Sequence, residues 1–208
     1  MFEEVDWIFF DLGYTLVDEE ESHRVRIERL LEKLPAHYTY DDIYQKLLEA
    51  SKRYEPPFIS LMTSLKLVDY EPCPSELEKL FPIVPALLDL LQKRYKLGVI
   101  ANQKLGTEDR LQNFGILQNF DLVVSSTEVG LSKPDPAIFQ LALEKENCQP
   151  ERALMVGDRL DNDIFPAKKL GMQTIWVRQG FGGFQEPKSV DYEPDLTIQS
   201  IEEVEVYL

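Results

Sequence analysis

The chain has 208 residues, with 22 Lys and Arg against 37 Asp and Glu, a formal net charge of −15 and 44% hydrophobic residues. That composition is globular, and the length suits one large domain or one domain carrying a smaller insertion, which excludes global disorder. So acidic a chain holds no reservoir of cations for a phosphate-neutralising surface, so neither nucleic acid nor an anionic membrane is expected as a partner.

The first ten residues, MFEEVDWIFF, place Glu3, Glu4 and Asp6 where a signal peptide needs positive charge. No apolar run approaches the ~20 residues of a membrane span, and a cytoplasmic protein is expected. Val5 to Phe10 reads as a buried strand. Residues 17–81 read differently, with amphipathic helical segments at Ser22 to Leu34 and Tyr40 to Tyr54, an apolar stretch from Phe58 to Leu67, a further helical piece at Ser75 to Leu80, and no strand. Such an interval is most simply a helical insertion after the first strand of an α/β core. The expected division is therefore residues 1–16 and 82–208 as core and 17–81 as cap.

After Pro82 and Pro85, strands at Leu97 to Ala101, Leu122 to Val124, Ala153 to Val156 and Thr174 to Val177 alternate with helices at Ala86 to Arg94, Glu108 to Phe114, Pro136 to Glu146 and Ile164 to Leu170. Strict alternation predicts a parallel, Rossmann-like sheet flanked by helices. Gln179 to Gly183 is a Gly-rich loop. Cys73 and Cys148 fit no metal or redox spacing and read as free thiols.

Ligands of open α/β sheets bind at the carboxyl ends of the strands, so the residues following each run matter most. The first run ends in Asp11-Leu12-Gly13-Tyr14-Thr15 and the second in Ala101-Asn102-Gln103. The third leads to Ser132-Lys133-Pro134-Asp135-Pro136, and the fourth ends in Gly157-Asp158-Arg159-Leu160-Asp161-Asn162-Asp163. Two carboxylate clusters on separate strands plus one lysine suggest a hard divalent cation held by oxygens, beside a site that neutralises an anion.

With D-x-x-x-T-L at Asp11 to Leu16, S-K-P-D-P-x-I-F at Ser132 to Phe139, and V-G-D-x-x-x-x-D followed by A-x-x-x-G-M at Val156 to Met172, the chain resembles the haloacid dehalogenase superfamily of hydrolases, mostly phosphatases. The resemblance implies an inserted helical cap and an Asp11 nucleophile that forms an aspartyl-phosphate. It implies Mg²⁺ held by Asp11, the Gly13 carbonyl, Asp158 and Asp163. It also implies a charge-neutralising Lys133, an Asn102 whose backbone N–H donates to phosphate, and a Thr15 whose hydroxyl braces the turn.

Two positions depart from the family pattern. Gly13 stands where most of its phosphatases have a second aspartate that protonates the leaving oxygen and activates water, and Ala101 stands where a Ser or Thr bonds the phosphoryl group. General acid/base catalysis is worth typically 10² to 10⁴ in rate, so loss of the residue-13 carboxylate predicts a steep dependence on leaving-group pKa.

Other residues have plainer expectations. The run Asp18 to Glu21 is read as a solvated hinge and His23 and His37 as surface residues; Arg24 and Arg26 could contact a substrate from the cap, but a helix this polar is expected to face water. Trp7 and Trp176 are read as core packing, Asp135 as a helix start, and Asp161 as an N-cap-like residue. Tyr14, three positions after Asp11, is given no dehalogenase role. The function expected is a Mg²⁺-dependent hydrolase of a small phosphorylated metabolite. The alternatives are a weak or inactive phosphate-ligand binding protein on the same scaffold and, less favoured, a metal-independent 2-haloacid dehalogenase. A monomer and a small homo-oligomer both fit the sequence.

Overall fold

The computed structural model describes residues 2, 4–68 and 72–208; Glu3 of the acidic N-terminus lies outside the described residues. In chain order it contains β1 (Trp7–Phe10), β2 (Val17–Asp18), α1 (Glu20–Leu31), α2 (Tyr40–Lys52), α3 (Pro57–Ser64), β3 (Lys79–Leu80), α4 (Val84–Leu91) and β4 (Lys96–Ala101). There follow α5 (Thr107–Asn113), β5 (Leu122–Ser125), α6 (Ser126–Val129), α7 (Pro136–Lys145), β6 (Ala153–Gly157), α8 (Phe165–Lys169), β7 (Gln173–Val177), β8 (Leu196–Ile198) and α9 (Val204–Tyr207).

The strands form one six-stranded sheet in the order β5-β4-β1-β6-β7-β8, with every pairing parallel. β1 is central and buried on both faces, which explains its unbroken apolar sequence. Its side chains alternate between two cores. Ile8 and Phe10 join the layer containing Val84, Leu87 and Leu88 of α4, and Trp7 and Phe9 join the one containing Ile138, Phe139 and Ala142 of α7. Successive strands leave β1 in opposite directions, through β4 on one side and β6 on the other. The crevice at its carboxyl end is the topological switch point of the sheet.

The helices α1–α3 enclose a core of their own, including Ile27, Leu30, Ile43, Leu47, Phe58 and Leu61, which the Phe181 side chain joins. α2 begins with a capping box in which Thr39 and Asp42 bond each other's backbone N–H groups. Its C-terminal end is tied to the Gly-rich loop region, where Ser51 Oγ donates to the Phe181 carbonyl at 2.8 Å and Gln185 Nε2 donates to the Ser51 carbonyl at 3.0 Å.

The interval from residue 17 to 81 differs from the sequence expectation at its two ends. β2 and β3 pair antiparallel, Val17 with Leu80 and Asp18 with Lys79. Ser75–Leu77 forms only a 3₁₀ turn before β3, in place of a helix. Strands of two residues carry no readable alternation, and their pairing joins segments far apart in sequence. β8 was also not expected, because its three residues, Leu196, Thr197 and Ile198, are interrupted by a polar one and make no apolar run.

Candidate active site

The turn after β1 is built from backbone hydrogen bonds. The N–H groups of Thr15, Leu16 and Val17 all donate to the Leu12 carbonyl at 2.9–3.2 Å, and Tyr14 N–H donates to Val17 O at 2.7 Å. Tyr14 takes a positive φ of 54°. The expected brace is therefore absent. Thr15 is fully buried, away from the cavity, and its Oγ1 has no hydrogen-bond partner among the described residues, since the amides it would have served already bond to Leu12.

Asp11 N–H donates to Val156 O at 3.0 Å, which ties the start of this turn to β6. Asp11, Asp158 and Asp163 present carboxylate oxygens that all lie within 4.8 Å of one another. Lys133 reaches between them, with Nζ 2.5 Å from Asp11 Oδ1 and 2.6 Å from Asp163 Oδ1. Burial alone would depress the lysine, but the two carboxylates outweigh it and hold the ammonium above its ordinary range.

Asp158 is raised well above the carboxylate range by burial, then by Asp163 and Asp11, and burial carries Asp163 up to about 6 despite the pull of Lys133. Three buried or half-buried oxygen donors with more negative charge than one lysine offsets have the chemistry of a hard divalent cation site. The group expected at these three residues fits the donor set.

Each member is held by a specific partner. Asn102, at the end of β4, clamps the Lys133 backbone: its Nδ2 donates to Lys133 O at 2.8 Å and its Oδ1 accepts from Lys133 N–H at 2.8 Å. The Asn102 side chain is thus committed to placing the lysine, leaving its backbone for any ligand. Asp163 Oδ2 accepts from Arg159 N–H at 3.0 Å. Gly157 permits this fold-back, because a Cβ there would collide with the Asp163 side chain. Trp176, expected only as packing, also donates its indole N–H to Asp158 O at 2.7 Å.

Asp161, expected as the cap-like residue, instead accepts from Arg159 Nε and Nη2 at 3.0 and 2.6 Å and from Gln185 Nε2 at 2.8 Å. Asp163 takes the backbone role because the chain makes a π turn over Leu160–Ile164 before α8, a register that local sequence does not announce. Asp135 does cap α7, accepting from Ala137 N–H at 2.9 Å. Ala101 is the buried last residue of β4 and brings no hydroxyl. Cys73 and Cys148 are free thiols.

These residues border a cavity of about 310 Å³, lined by Asp11, Gly13, Asn102, Lys133, Asp158 and Asp163 of the expected set. Glu19, His23 and Arg26 line the same cavity, which overturns the solvated reading of Glu19 and His23 and the favoured, water-facing reading of Arg26. Arg26 is only 4% exposed and its guanidinium stacks 3.6 Å from the Phe58 ring centroid, whereas Arg24 faces solvent with Glu21 and Glu28. His23 Nδ1 lies 2.7 Å from the Tyr14 hydroxyl, with the rings of Phe58 and Phe181 5.0 and 5.4 Å away. Burial, with a smaller push from Arg26, lowers its pKa to about 3.

Glu19 lies 3.6 Å from Arg110 and 3.9 Å from His23. Burial and then Glu78 push it up to about 7 against the pull of Arg110. The charged sequence of α1 reads as solvated because its inward face is set by what packs against it, not by its mean polarity.

Residues 8–177 match the family model described as haloacid dehalogenase-like hydrolase. The chain is similar to the glyceraldehyde 3-phosphate phosphatase of Methanothermobacter thermautotrophicus, 35% identical over 172 residues that cover 82% of this chain and 73% of the relative. It is also similar to the enzyme of the same name from Methanopyrus kandleri, 30% identical over 213 residues, covering 92% and 91%. In fold it matches the crystal structure of a HAD phosphatase from Thermococcus onnurineus, with a TM-score of 0.68 at 24% identity over 98% of this chain and 97% of that one. No helix among the described residues is long and apolar enough to cross a membrane.

Proposed function

Because the chain belongs to the haloacid dehalogenase-like hydrolases, we propose that it is a Mg²⁺-dependent phosphatase of a small phosphorylated metabolite, working through an aspartyl-phosphate on Asp11. The observation that carries this reading is the convergence of Asp11, Lys133, Asp158 and Asp163 on one cavity at the switch point of the sheet.

Asp11 is the nucleophile: a carboxylate oxygen attacks phosphorus and the P–O bond to the leaving group breaks. Lys133, whose ammonium contacts Asp11, offsets the charge of the incoming phosphoryl oxygens. Asn102 holds Lys133 in place, and its own backbone N–H is available to a phosphoryl oxygen. Asp11, Asp158 and Asp163 would hold Mg²⁺, whose charge lowers the repulsion between nucleophile and phosphate when it is bound. Residues 1–16 and 82–208 are the catalytic core, and residues 17–81 are a cap that faces the leaving group with Arg26 and His23.

A cavity of about 310 Å³ suits a small ester, at the low end of ligand pockets. The relatives named for glyceraldehyde 3-phosphate support a short phosphorylated carbohydrate as substrate.

The test is hydrolysis of p-nitrophenyl phosphate with Mg²⁺, in EDTA, and by Asp11→Asn and Asp158→Asn. Activity is expected only in the unmodified protein with Mg²⁺. Turnover that survives in EDTA or in Asp11→Asn would refute the reading. Binding of phosphate without any turnover would favour the binding-protein alternative.

A further inference from the structure

An alkyl leaving group departs as an alkoxide unless a proton reaches it, and the water that cleaves an acyl phosphate must give a proton up. The groups lining the cavity are nearly all committed elsewhere. The Lys133 ammonium is bonded to Asp11 and Asp163 at 2.5 and 2.6 Å. Asp158 and Asp163 belong to the carboxylate cluster with the nucleophile. Tyr14 and His23 bond one another at 2.7 Å, with aromatic rings around the histidine. Glu19 is left.

Its position is specific. Gly13 has no side chain, and a Cβ built on it would lie 2.9 Å from Glu19 Oε1 and 3.0 Å from Cδ and Oε2. The Glu19 carboxylate therefore fills the space that a side chain at residue 13 would enter, two residues from Asp11 and inside the same cavity. It arrives there from the N-cap of α1, where it makes no capping bond to its own helix. Its ion contacts are long and shared, with His23 Nε2 3.9 Å away. Arg110 Nη2 is 3.6 Å away but lies 2.5 Å from Glu78 Oε2, while Nη1 donates to Gln103 Oε1 at 2.7 Å.

We propose that Glu19 is the general acid and base of the reaction, its carboxylate standing in the space left open by Gly13. The inference rests on the phosphatase reading above. In the first step a carboxylate oxygen of Asp11 bonds to phosphorus. The ester P–O bond breaks, its electron pair goes to the leaving oxygen, and the Glu19 carboxyl gives that oxygen its proton, so an alcohol departs. In the second step the Glu19 carboxylate takes a proton from water as the water oxygen bonds to phosphorus. The P–O bond to Asp11 breaks, its electron pair returns to the Asp11 carboxylate, and inorganic phosphate leaves with Glu19 protonated again. The steep leaving-group dependence expected from a missing carboxylate at residue 13 should then be absent in the unmodified protein and appear when Glu19 is changed.

The test compares glycerol phosphate with p-nitrophenyl phosphate and adds thermal melts of the metal-free variants. The unmodified protein should hydrolyse both esters. Glu19→Gln should lose at least about 10²-fold in kcat/KM on glycerol phosphate and less than about tenfold on the aryl ester, which needs little protonation. Gly13→Asp combined with Glu19→Ala should regain at least about tenfold on glycerol phosphate relative to Glu19→Ala, and this pair also decides the matter if Glu19→Gln fails to fold. In the melts, Gly13→Asp alone should lower Tm more than it does in the Glu19→Ala background, because the new carboxylate collides with the old one.

Equal losses on both esters, no loss, or an unmodified protein restricted to the aryl ester would each overturn the role of Glu19. Strictly additive melts would show that Glu19 does not occupy the space beside Gly13 and would overturn it equally. Asp11→Asn is the separate control: activity surviving there removes the nucleophile reading, whereas its loss alongside a normal Glu19→Gln removes only this inference.

Discussion

Lys133 is the residue on which the charge balance of the cavity turns, since its ammonium touches two carboxylates that would otherwise face each other. Replacing it leaves uncompensated charge in a buried site, a change that costs about 3–5 kcal/mol where it has been measured. Lys133→Ala should therefore lower stability in EDTA by an amount of that order, read from urea unfolding, and lower activity by at least about 10²-fold. Converting Asp163 to Asn in the same chain should recover part of the stability and none of the activity. A variant as stable as the parent would show that the pairs contribute nothing to folding.

His23 makes a second prediction at this scale. Its pKa falls from 6.5 to about 3 on folding, chiefly through burial, with Arg26 adding to the effect, and Tyr14 and Glu19 are the other polar groups facing it. Between those values the unfolded chain binds the proton and the folded one does not. Stability is thus lost as pH drops through this window, by up to about 1.4 kcal/mol per pH unit. His23→Gln should be less stable than the parent at pH 7, where the Tyr14 contact is disturbed, but should show a flatter decline between pH 6 and 4. Parallel urea midpoints for the two proteins across that range would refute the assignment.

Among the elements, β1 and β4 depend on a close approach that only glycine allows. Phe9 pairs with Gly98 in the parallel register, and a Cβ on Gly98 would lie 2.6 Å from the Phe9 ring atoms Cδ1 and Cε1. That ring is fully buried and stacks on Trp7 with centroids 5.3 Å apart, so it has no open space to move into. Gly98→Ala should cost about 1–3 kcal/mol, the usual range for overpacking a core, despite the better strand propensity of alanine. Chemical denaturation measures it, and a neutral or stabilising result would mean that the two strands are loosely packed at this position. The strand and helix alternation that produces this sheet was legible from apolar runs of three to six residues. The ribbon of β2 and β3 was not, since four residues joined across the whole helical interval leave no local pattern.

For the whole molecule, the relevant quantity is the net charge of −15, part of which is concentrated as Asp11, Asp158 and Asp163 in one cavity. A cation that binds there binds only the folded chain, because the three carboxylates come together from the ends of two strands, β1 and β6, and it must raise stability by mass action. At a Mg²⁺ concentration about 100 times Kd the gain is about 2.7 kcal/mol, or on the order of 5–10 °C in Tm for a chain of this size. Ionic strength must be matched with NaCl, since screening of so acidic a protein raises Tm by itself. Asp158→Asn should abolish the increment specific to Mg²⁺. An equal rise in the variant would show that the ion acts only by screening.

Lys133, in the loop after α6, was legible in the S-K-P-D-P motif; from its apolar runs the sequence also determined the parallel α/β core, the helical interval after its first strand, and Asp11, Asp158 and Asp163 just past the ends of β1 and β6. These are consequences of short-range order: an apolar run fixes where a strand stops, and the next few residues have to lie at the sheet's carboxyl edge. Only the tertiary structure decided what else enters the cavity. Glu19, His23 and Arg26 belong to a segment whose composition is that of a solvated surface, and they face inward because α1 borders the same cavity as the residues that follow the strands. Asn102 and Lys133 are 31 positions apart, and their mutual clamp exists only once β4 and the loop after α6 lie side by side. Gly13 could be read in the sequence only as a missing carboxylate; that a carboxylate from another element occupies its space is a fact about distance in the folded chain.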